Sequence, residues 1–305
     1  MGYDSARRLR MAVGIPSTGR SDILAATVPL IEKQTRLPEK IVICTLRPSD
    51  VPDGLHHLAI PVSTKLSSSG LAKQRNDIIK ELYDFDILVF LDDDFLMAPN
   101  YLAEVERLFL EHEDVMVATG NVLLDGIGSR GIGVAEGSSL LKKLLDDPET
   151  RPETMTNVYN GYGCNMTVRL DGLRRNDIWF DENLPLYCWL EDVDLSRLLA
   201  QHGRVVKSNT LRGIHLGVKT GRTSGIKLGY SQIANPYYLA RKGTMLKSKA
   251  LAIAAKNVVA NLVRSLAPEA WVDRKGRLRG NLLALQDLLA GRISPSRVLV
   301  VEKND

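Results

Sequence analysis

Three consecutive aspartates, Asp92, Asp93 and Asp94, follow the most apolar short segment of the chain, residues 86–91. Adjacent carboxylates repel one another and raise each other's pKa, so such a run favours a nearby cation. Hard oxygen ligands of this kind suit Mg²⁺ or Mn²⁺ holding a diphosphate. We therefore interpret the run as a metal site at a strand end. The alternative is a solvated turn that caps the following helix.

A second acidic cluster consists of Glu191, Asp192 and Asp194, directly after Trp189. A carboxylate can take a proton from an alcohol as a general base, and an aromatic side chain beside it suits a sugar pocket. Three acids in a first helical turn also favour the helix dipole, so capping is the structural alternative. His215 is either a structural histidine or a ligand that completes one of these acidic sites.

The composition indicates an ordinary folded protein rather than a disordered chain. The 305 residues are 44% hydrophobic and 25% charged, with a net charge of +4, which fits one large domain or two smaller ones. Three scattered cysteines favour a reducing, cytoplasmic setting over a disulfide framework or a closed zinc site. No apolar run approaches the roughly 18 residues of a membrane span, and residues 1–16 do not resemble a signal peptide.

The elements that position these groups alternate between strand and helix. Apolar runs and helical spacing predict, in chain order, strand 9–15, helix 22–34, strand 40–45, helix 71–83, strand 86–91, helix 101–110 and strand 115–120. Later elements are a strand entered at 161–169, helix 191–202, strand 204–216 and helix from 237 onward. The alternation is typical of an α/β domain with a mainly parallel sheet, in which ligands bind at the carboxyl ends of strands.

Charge is segregated along the chain. Residues 1–240 carry a net charge of −4, residues 241–305 carry +8, and no acid occurs between Leu195 and Pro268. This favours an anionic partner such as nucleotide phosphates, a phospholipid surface or nucleic acid. Residues 251–266 could form a basic amphipathic helix on a membrane, or pack on the rest of the protein with their charges solvated. The loop 219–229, which contains Arg222 and Lys227, is predicted to close over a diphosphate.

The order of these motifs resembles family 2 of the nucleotide-sugar-dependent glycosyltransferases, which have the GT-A fold. The resemblance covers about residues 10–245. It rests on the segments Pro16–Arg20, Gly70–Asn76, Phe90–Asp94, Gly163–Arg169, and Phe180–Glu182 followed by Glu191–Asp192. It implies a Rossmann-like, mainly parallel sheet flanked by helices. The catalytic domain would span 1–240, with a nucleotide-sugar half at about 10–120 and an acceptor half at 121–240, followed by a basic helical segment at 241–305.

The resemblance also implies an activity and a role for each site residue. The enzyme would be a metal-dependent, inverting glycosyltransferase of polysaccharide or glycolipid synthesis, with Mn²⁺ or Mg²⁺ bound by Asp94 and His215. Asp192 would be the general base, supported by Glu191. Donor contacts would come from Pro16, Ser17, Thr18, Arg20, Thr45, Arg75, Asp92 and Asp93, and acceptor contacts from Asn165 and Trp189.

The chain departs from the family pattern at two points. Thr45 stands where the family usually has an acid that recognises the base, and Ile178–Trp179 replaces a Gly-Gly pair before Phe180. The nucleotide and the shape of the acceptor entrance are therefore left open.

The expected partners are a nucleotide-diphosphate sugar, a saccharide or lipid-linked acceptor and an anionic membrane surface, but not nucleic acid. The expected location is cytoplasmic, with peripheral attachment to the inner face of the membrane as an option. Two other functions remain. A nucleotidyltransferase that makes a nucleotide sugar would more often have a Gly-rich signature after its first strand, and residues 16–20 contain one glycine. The other is a non-catalytic module that binds an anionic polymer or membrane.

Overall fold

The structure is a computed structural model that describes residues 8–146, 152–221 and 223–301. The strands are β1 (Met11–Pro16), β2 (Lys40–Thr45), β3 (Val62–Leu66), β4 (Ile87–Leu91), β5 (Phe95–Met97), β6 (Val115–Asp125), β7 (Met155–Asn157), β8 (Asn165–Arg169) and β9 (Arg204–His215). The helices are α1 (Ser21–Thr27), α2 (Leu71–Glu81), α3 (Tyr101–Glu111), α4 (Val134–Leu145), α5 (Leu170–Asn176), α6 (Glu191–Leu199), α7 (Gly225–Lys242), α8 (Lys247–Arg264) and α9 (Arg274–Leu289).

All of these strands join one sheet, in the order β3-β2-β1-β4-β8-β6-β9-β5, with β7 paired to β9. The first four strands in this order are parallel, β8 is antiparallel to both of its neighbours, and β6 is parallel to β9. Helices pack on both faces, so β1, β2 and β4 are buried throughout, apart from the first residue of β2. The predicted α/β sheet flanked by helices is confirmed, with a mixed second half.

Alternate side chains of β1 pack into two different core layers, one on each face of the sheet. Ala12 packs with Ile78 of α2 on one face, whereas Val13 packs with Leu24 of α1 and Tyr101 of α3 on the other. Successive side chains of a strand point to opposite faces, so an uninterrupted apolar run is what a doubly covered strand requires.

The two largest differences from the predicted helix boundaries are in α1 and α7. Helix α1 ends at Thr27 and continues as a 3₁₀ turn, Val28–Lys33, which contains Pro29. Helix α7 begins at Gly225, inside the predicted loop 219–229 and well before residue 237. Its glycines serve close packing, because a Cβ on Gly229 would lie 2.1 Å from the carbonyl oxygen of Arg277 in α9.

Helices α7, α8 and α9 pack together through a small apolar cluster and buried polar groups. Tyr230, Ile233 and Val298 belong to the apolar part, and the Asn261 side chain donates to Gln232 and Asn281. The predicted domain boundary at residue 240 falls in the last turn of α7 and stays a prediction. Within the described residues, no helix is long and apolar enough to cross a membrane.

Candidate active site

The loops that follow β1 and β4 meet at the carboxyl edge of the sheet. The Ser17 hydroxyl donates to Asp93, and the Arg20 guanidinium lies 2.8 Å from the same carboxylate. Burial raises the pKa of Asp93 to about 6, although Arg20 opposes this shift. Asp93 is 4% exposed, so in this structure it anchors the loop after β1 and does not face solvent.

Asp94 faces the last residues of β9. Its Oδ1 lies 3.4 Å from His215 Nε2, and its Oδ2 accepts a hydrogen bond from the Val218 backbone N–H at 2.7 Å. Burial opposes ionisation, but the contact with His215 and the positive charge of Arg20 outweigh it and lower the pKa of Asp94. Asp92 is half-exposed, and its Oδ2 lies 3.9 Å from the same histidine nitrogen. Asp92 and Asp94 share the His215 ring, and Asp93 and Asp94 share the Arg20 guanidinium, so each of the three adjacent carboxylates has a basic side chain beside it.

Asp125, at the end of β6, holds the other side of the His215 ring. The His215 Nδ1–H donates to Asp125 Oδ1 at 2.9 Å, and the Tyr162 hydroxyl donates to Asp125 Oδ2 at 2.9 Å. Burial disfavours the charged ring, but Asp125 and Asp94 outweigh this and raise the pKa of His215 to about 10. Because Nδ1 carries its proton toward Asp125, Nε2 is the nitrogen directed at Asp92 and Asp94.

The Asp92, Asp94 and His215 side chains could hold a metal ion. Among the described residues, these three form a group in which one ligand atom from each lies within 4.8 Å of the others. Two carboxylates and an imidazole are ligand types that a divalent transition-metal ion accepts. The sequence prediction had assigned metal binding to Asp94 and His215 and donor contact to Asp92. The geometry brings Asp92 into the same cluster.

The second acidic cluster lies beside the first because Arg75 connects them. The Arg75 guanidinium is 2.6 Å from Glu191 Oε1 and 3.7 Å from Asp92 Oδ1, and it donates to the Gly163 carbonyl oxygen at 3.0 Å. Arg75 is 1% exposed, so it acts here as an internal cation between β4 and α6. Its predicted contact with the donor stays a prediction.

Asp192 is the acid of the α6 cluster that is partly exposed to solvent. Its carboxylate accepts hydrogen bonds from the backbone N–H groups of Gly163 and Val193, and the residue is half-buried. Burial raises the pKa of Asp192, while Arg75 and these hydrogen bonds oppose the rise. By contrast, Asp194 is fully buried against Lys242 and Thr244. Of the three acids, Asp192 can therefore reach a bound molecule with the least rearrangement.

The other predicted site residues lie at the carboxyl edge of the sheet or are buried close to it. Pro16 is buried as the last residue of β1, Thr18 is half-buried, and Thr45 is fully buried at the end of β2. Asn165 is also fully buried and accepts a hydrogen bond from Thr119, so its side chain lies within the sheet. Trp189 is half-buried against the core beside α6. Their ligand contacts stay predictions.

Contacts over long sequence distances fix the position of α6. Asn76 of α2 exchanges hydrogen bonds with the backbone N–H and carbonyl oxygen of Phe180. Three residues just before α6, Leu186, Cys188 and Leu190, have positive φ angles of 58°, 57° and 79°. Such angles are unfavourable for side chains with a Cβ, and clusters of them often mark functional sites.

Several residues at the site were not singled out from the sequence. Gln74 donates to the carbonyl oxygens of Ser17 and Cys44 and so joins the loops after β1 and β2. Asp125 and Tyr162 lie beside His215 and are joined to each other by a hydrogen bond. Asp125 follows an apolar run at a strand end, which is the same signal that marked Asp92–Asp94, but the predicted strand stopped at residue 120.

The segment after β9 lies against the first loop. The Arg20 side chain donates to the carbonyl oxygen of Thr220, and a Cβ on Gly221 would lie 2.8 Å from the carbonyl oxygen of Thr18. Lys219 donates to the carbonyl oxygens of Gly126 and Ile127. Arg222, part of the predicted closing loop, lies outside the described residues. Closure of this segment over a diphosphate stays a prediction.

Comparison with known proteins identifies the class of fold. No protein-family model and no curated protein sequence matches the chain. A mannosyltransferase from Pyrobaculum calidifontis, solved with GDP-Man and Mn²⁺, is 16% identical over 97% of this chain and 86% of its own, with a TM-score of 0.52. GalNAc-T7, solved with UDP, GalNAc and Mn²⁺, is 15% identical over 94% of this chain and 59% of its own, with a TM-score of 0.51.

A third similar structure is TarS from S. aureus. It is 16% identical over 85% of this chain with a TM-score of 0.52, and this chain spans 44% of its length. Its 1–349 fragment, solved with UDP-GlcNAc, is 14% identical over 95% of this chain and 83% of its own, with a TM-score of 0.53. These similarities show that the fold is that of the GT-A glycosyltransferases, as the sequence motifs had predicted.

Proposed function

We propose that this protein is a metal-dependent glycosyltransferase that moves a sugar from a nucleotide-diphosphate donor to an acceptor hydroxyl with inversion. The observation that carries the proposal is the arrangement of two acidic groups at one edge of the sheet. Asp92, Asp94 and His215 form a metal-competent cluster, and Arg75 links Asp92 to the acids that open α6. The structural neighbours solved with nucleotide sugars and Mn²⁺ support this reading.

The donor side of the site is assigned to the loops after β1 and β4. Mn²⁺ on Asp92, Asp94 and His215 would neutralise charge on the leaving diphosphate. Mn²⁺ is favoured over Mg²⁺ because one of the three ligands is an imidazole. Arg20 supplies positive charge at the same edge and already pairs with Asp93 and Asp94.

The acceptor side is assigned to the first turn of α6. In the proposed step, Asp192 takes the proton of the acceptor hydroxyl while the oxygen of that hydroxyl bonds to the anomeric carbon of the donor sugar. The bond between that carbon and the diphosphate oxygen breaks, and the nucleoside diphosphate leaves. Glu191 and Arg75 hold the start of α6 in place, and Gly163 N–H positions Asp192 Oδ2. Attack opposite the leaving group inverts the anomeric configuration.

The biological setting forms part of the proposal and rests on the family resemblance. The acceptor would be a saccharide or a lipid-linked saccharide, used in polysaccharide or glycolipid synthesis at a cytoplasmic site. The buried, unpaired state of Cys44, Cys164 and Cys188 is compatible with a reducing compartment.

The test is donor binding and turnover by the purified full chain with a panel of UDP- and GDP-sugars, with and without Mn²⁺. We expect Mn²⁺-dependent binding of one donor, slow release of its nucleoside diphosphate, and faster release with a suitable acceptor. Product anomers read by NMR would report inversion. The wild type is compared with the control variant Asp84→Asn, which should behave like it because Asp84 is an exposed aspartate away from the cluster. Donor binding that does not depend on Mn²⁺ in the wild type and in this control would contradict the proposal.

The same assay separates the two alternative functions. Release of inorganic diphosphate from a nucleoside triphosphate and a sugar phosphate would identify a nucleotidyltransferase. Binding of an anionic polymer or membrane without turnover on any donor and acceptor would identify a non-catalytic module.

A further inference from the structure

The outer face of α8 carries an exposed apolar stripe. It consists of Leu251, Ala255, Val259 and Leu262 on the helix and Leu266 just beyond its end, and we call these residues the α8 stripe. Leu251 is 73% exposed, Val259 59%, Leu262 54% and Leu266 88%. At 100° per residue these positions, with Ala252 and Val263 beside them, fill an arc of about 120°. Single exposed leucines are ordinary, but a contiguous apolar patch marks an interaction site.

The inner face of α8 fixes the direction of this stripe. Ala250 and Asn261 are buried, and the Asn257 and Asn261 side chains are hydrogen-bonded to Gln232 of α7. Helix α8 therefore packs on the protein through small and polar residues together with Ile253 and Val258. The apolar side chains exposed on the opposite side are Leu251, Val259, Leu262 and Val263. The stripe runs about 22 Å along the surface, from a rise of 1.5 Å per residue.

Basic residues border the stripe, and α8 contains no acidic residue. On the helical projection, Lys247 lies on one side of the apolar arc, and Lys256 and Lys249 lie on the other. Arg264 pairs with Glu269 at 2.9 Å, and the Lys249 ammonium lies 4.7 Å from the centre of the Tyr159 ring. Lys256 is exposed. A second copy packed on the same stripe would bring these cations together. An anionic surface would complement them.

We propose that α8 lies in the interface of an anionic bilayer, with the α8 stripe among the acyl chains and the bordering lysines at the phosphate level. A helix of this kind inserts its apolar face by about 5–10 Å, and its lysines add attraction to anionic lipids. This attachment does not depend on sugar transfer. It would place the proposed active site of a glycosyltransferase near lipid-linked acceptors.

The test is co-sedimentation of the full chain with vesicles of phosphatidylcholine alone or with 30% phosphatidylglycerol, without nucleotide sugar. We expect binding to the anionic vesicles that weakens as salt rises, and little binding to the neutral ones. Asp94→Ala should bind vesicles like the wild type, which separates this proposal from the proposed activity. Failure of the intact protein to bind anionic vesicles at low salt would overturn the proposal.

Two variants and their matched controls locate the binding surface. Val259→Ser/Leu262→Ser should weaken vesicle binding by at least about tenfold, because two apolar groups no longer leave water. Lys256→Glu should weaken it by about tenfold at low salt. The controls are Leu110→Ser on α3 and Lys143→Glu on α4, which replace exposed residues of the same types, and both should bind like the wild type. Circular dichroism melts verify that each variant is folded.

Other outcomes would replace the proposal rather than refine it. If only Lys256→Glu weakens binding, the contact is electrostatic and the stripe does not insert. If both variants bind normally, another surface contacts the membrane. If the intact protein is a dimer without vesicles and Val259→Ser/Leu262→Ser is a monomer, a second copy covers the stripe.

Discussion

At the strand-end site, charged side chains are buried, whereas on the outer face of α8 apolar side chains are exposed. Asp94 is 2% exposed and Arg75 1%, but Leu251 is 73% and Leu266 88% exposed. Folding alone disfavours both arrangements, because buried charges lose hydration and exposed leucines order water. In the first region each charge has an internal counter-charge or hydrogen bond. In the second nothing among the described residues covers the stripe. The first region fits the cation that we propose there, and the second fits the membrane surface that we propose.

The largest expected effect comes from removing a charged ligand at the first region. Asp94→Ala should reduce turnover by at least about 10³-fold and abolish Mn²⁺-dependent donor binding, because a proposed metal ligand is lost. Donor affinity with and without Mn²⁺ is measured by calorimetry, with Asp84→Ala as the control. Unchanged affinity in Mn²⁺ would remove Asp94 from the metal site.

Replacing the proposed base tests the other half of that region. Asp192→Asn should keep donor binding and lose about 10²–10⁴-fold in transfer, because an amide cannot accept the acceptor proton. Transfer rates and donor affinity are measured on the same preparation. Near-normal transfer would reassign the base, and Glu191 would be the next residue to replace.

Asp125 provides a smaller effect at the same site. Asp125→Asn should weaken Mn²⁺ binding by about 10–100-fold, because the His215 ring loses the carboxylate that orients it. Tyr162→Phe, which removes the second hydrogen bond to Asp125, should have a weaker effect. Equal Mn²⁺ affinity of Asp125→Asn and wild type would show that this contact does not support the metal.

Asp287 tests whether a buried carboxylate among the C-terminal helices is stabilised by internal counter-charges, as the carboxylates of the first region are. Burial opposes its ionisation, but hydrogen bonds from Arg292, Arg297 and Tyr230 outweigh it and lower the pKa of Asp287. Such a carboxylate stabilises the fold above its unfolded pKa, near 3.9, and this contribution is lost as pH falls through the lower folded pKa. Asp287→Asn should therefore lower the free energy of unfolding by about 1–3 kcal/mol at pH 7. Urea titrations should show a smaller difference at pH 3.

The smallest effect on folding is expected on the outer face of α8. Val259→Ser should change the free energy of unfolding by no more than about 0.5 kcal/mol, because Val259 is already 59% exposed. A destabilisation of 2 kcal/mol in the urea titration would show that the stripe packs against protein and is not a free surface.

The sequence predicted the elements whose signals are local. Strands β1, β2 and β4 are continuous apolar runs, and the run Asp92–Asp94 follows the last of them. Helix α6 begins at Glu191 as its acidic first turn had indicated. The start of α7 was missed because glycines usually end helices, whereas Gly229 and Gly280 here allow two helix backbones to touch.

The parts of the site that were missed depend on pairing between distant strands. Asp125 and His215 meet because β6 and β9 pair in parallel, and that pairing contains three register irregularities. A one-residue slip would turn either side chain to the opposite face, so spacing along the chain does not reveal the contact. The partners of Arg75, in α6 and in the loop before β8, are also non-local and carry no local signal.

The strand order has a consequence for how the protein folds. β9 pairs with β6 on one side and with β5 on the other, so Asp94 and His215 become neighbours only after the chain between them has been brought back to the sheet. Closing such a long loop costs entropy and slows folding. We therefore expect the capacity to bind Mn²⁺ to return late in refolding, after most of the helical circular dichroism signal. In stopped-flow refolding, metal binding would then report completion of the native topology.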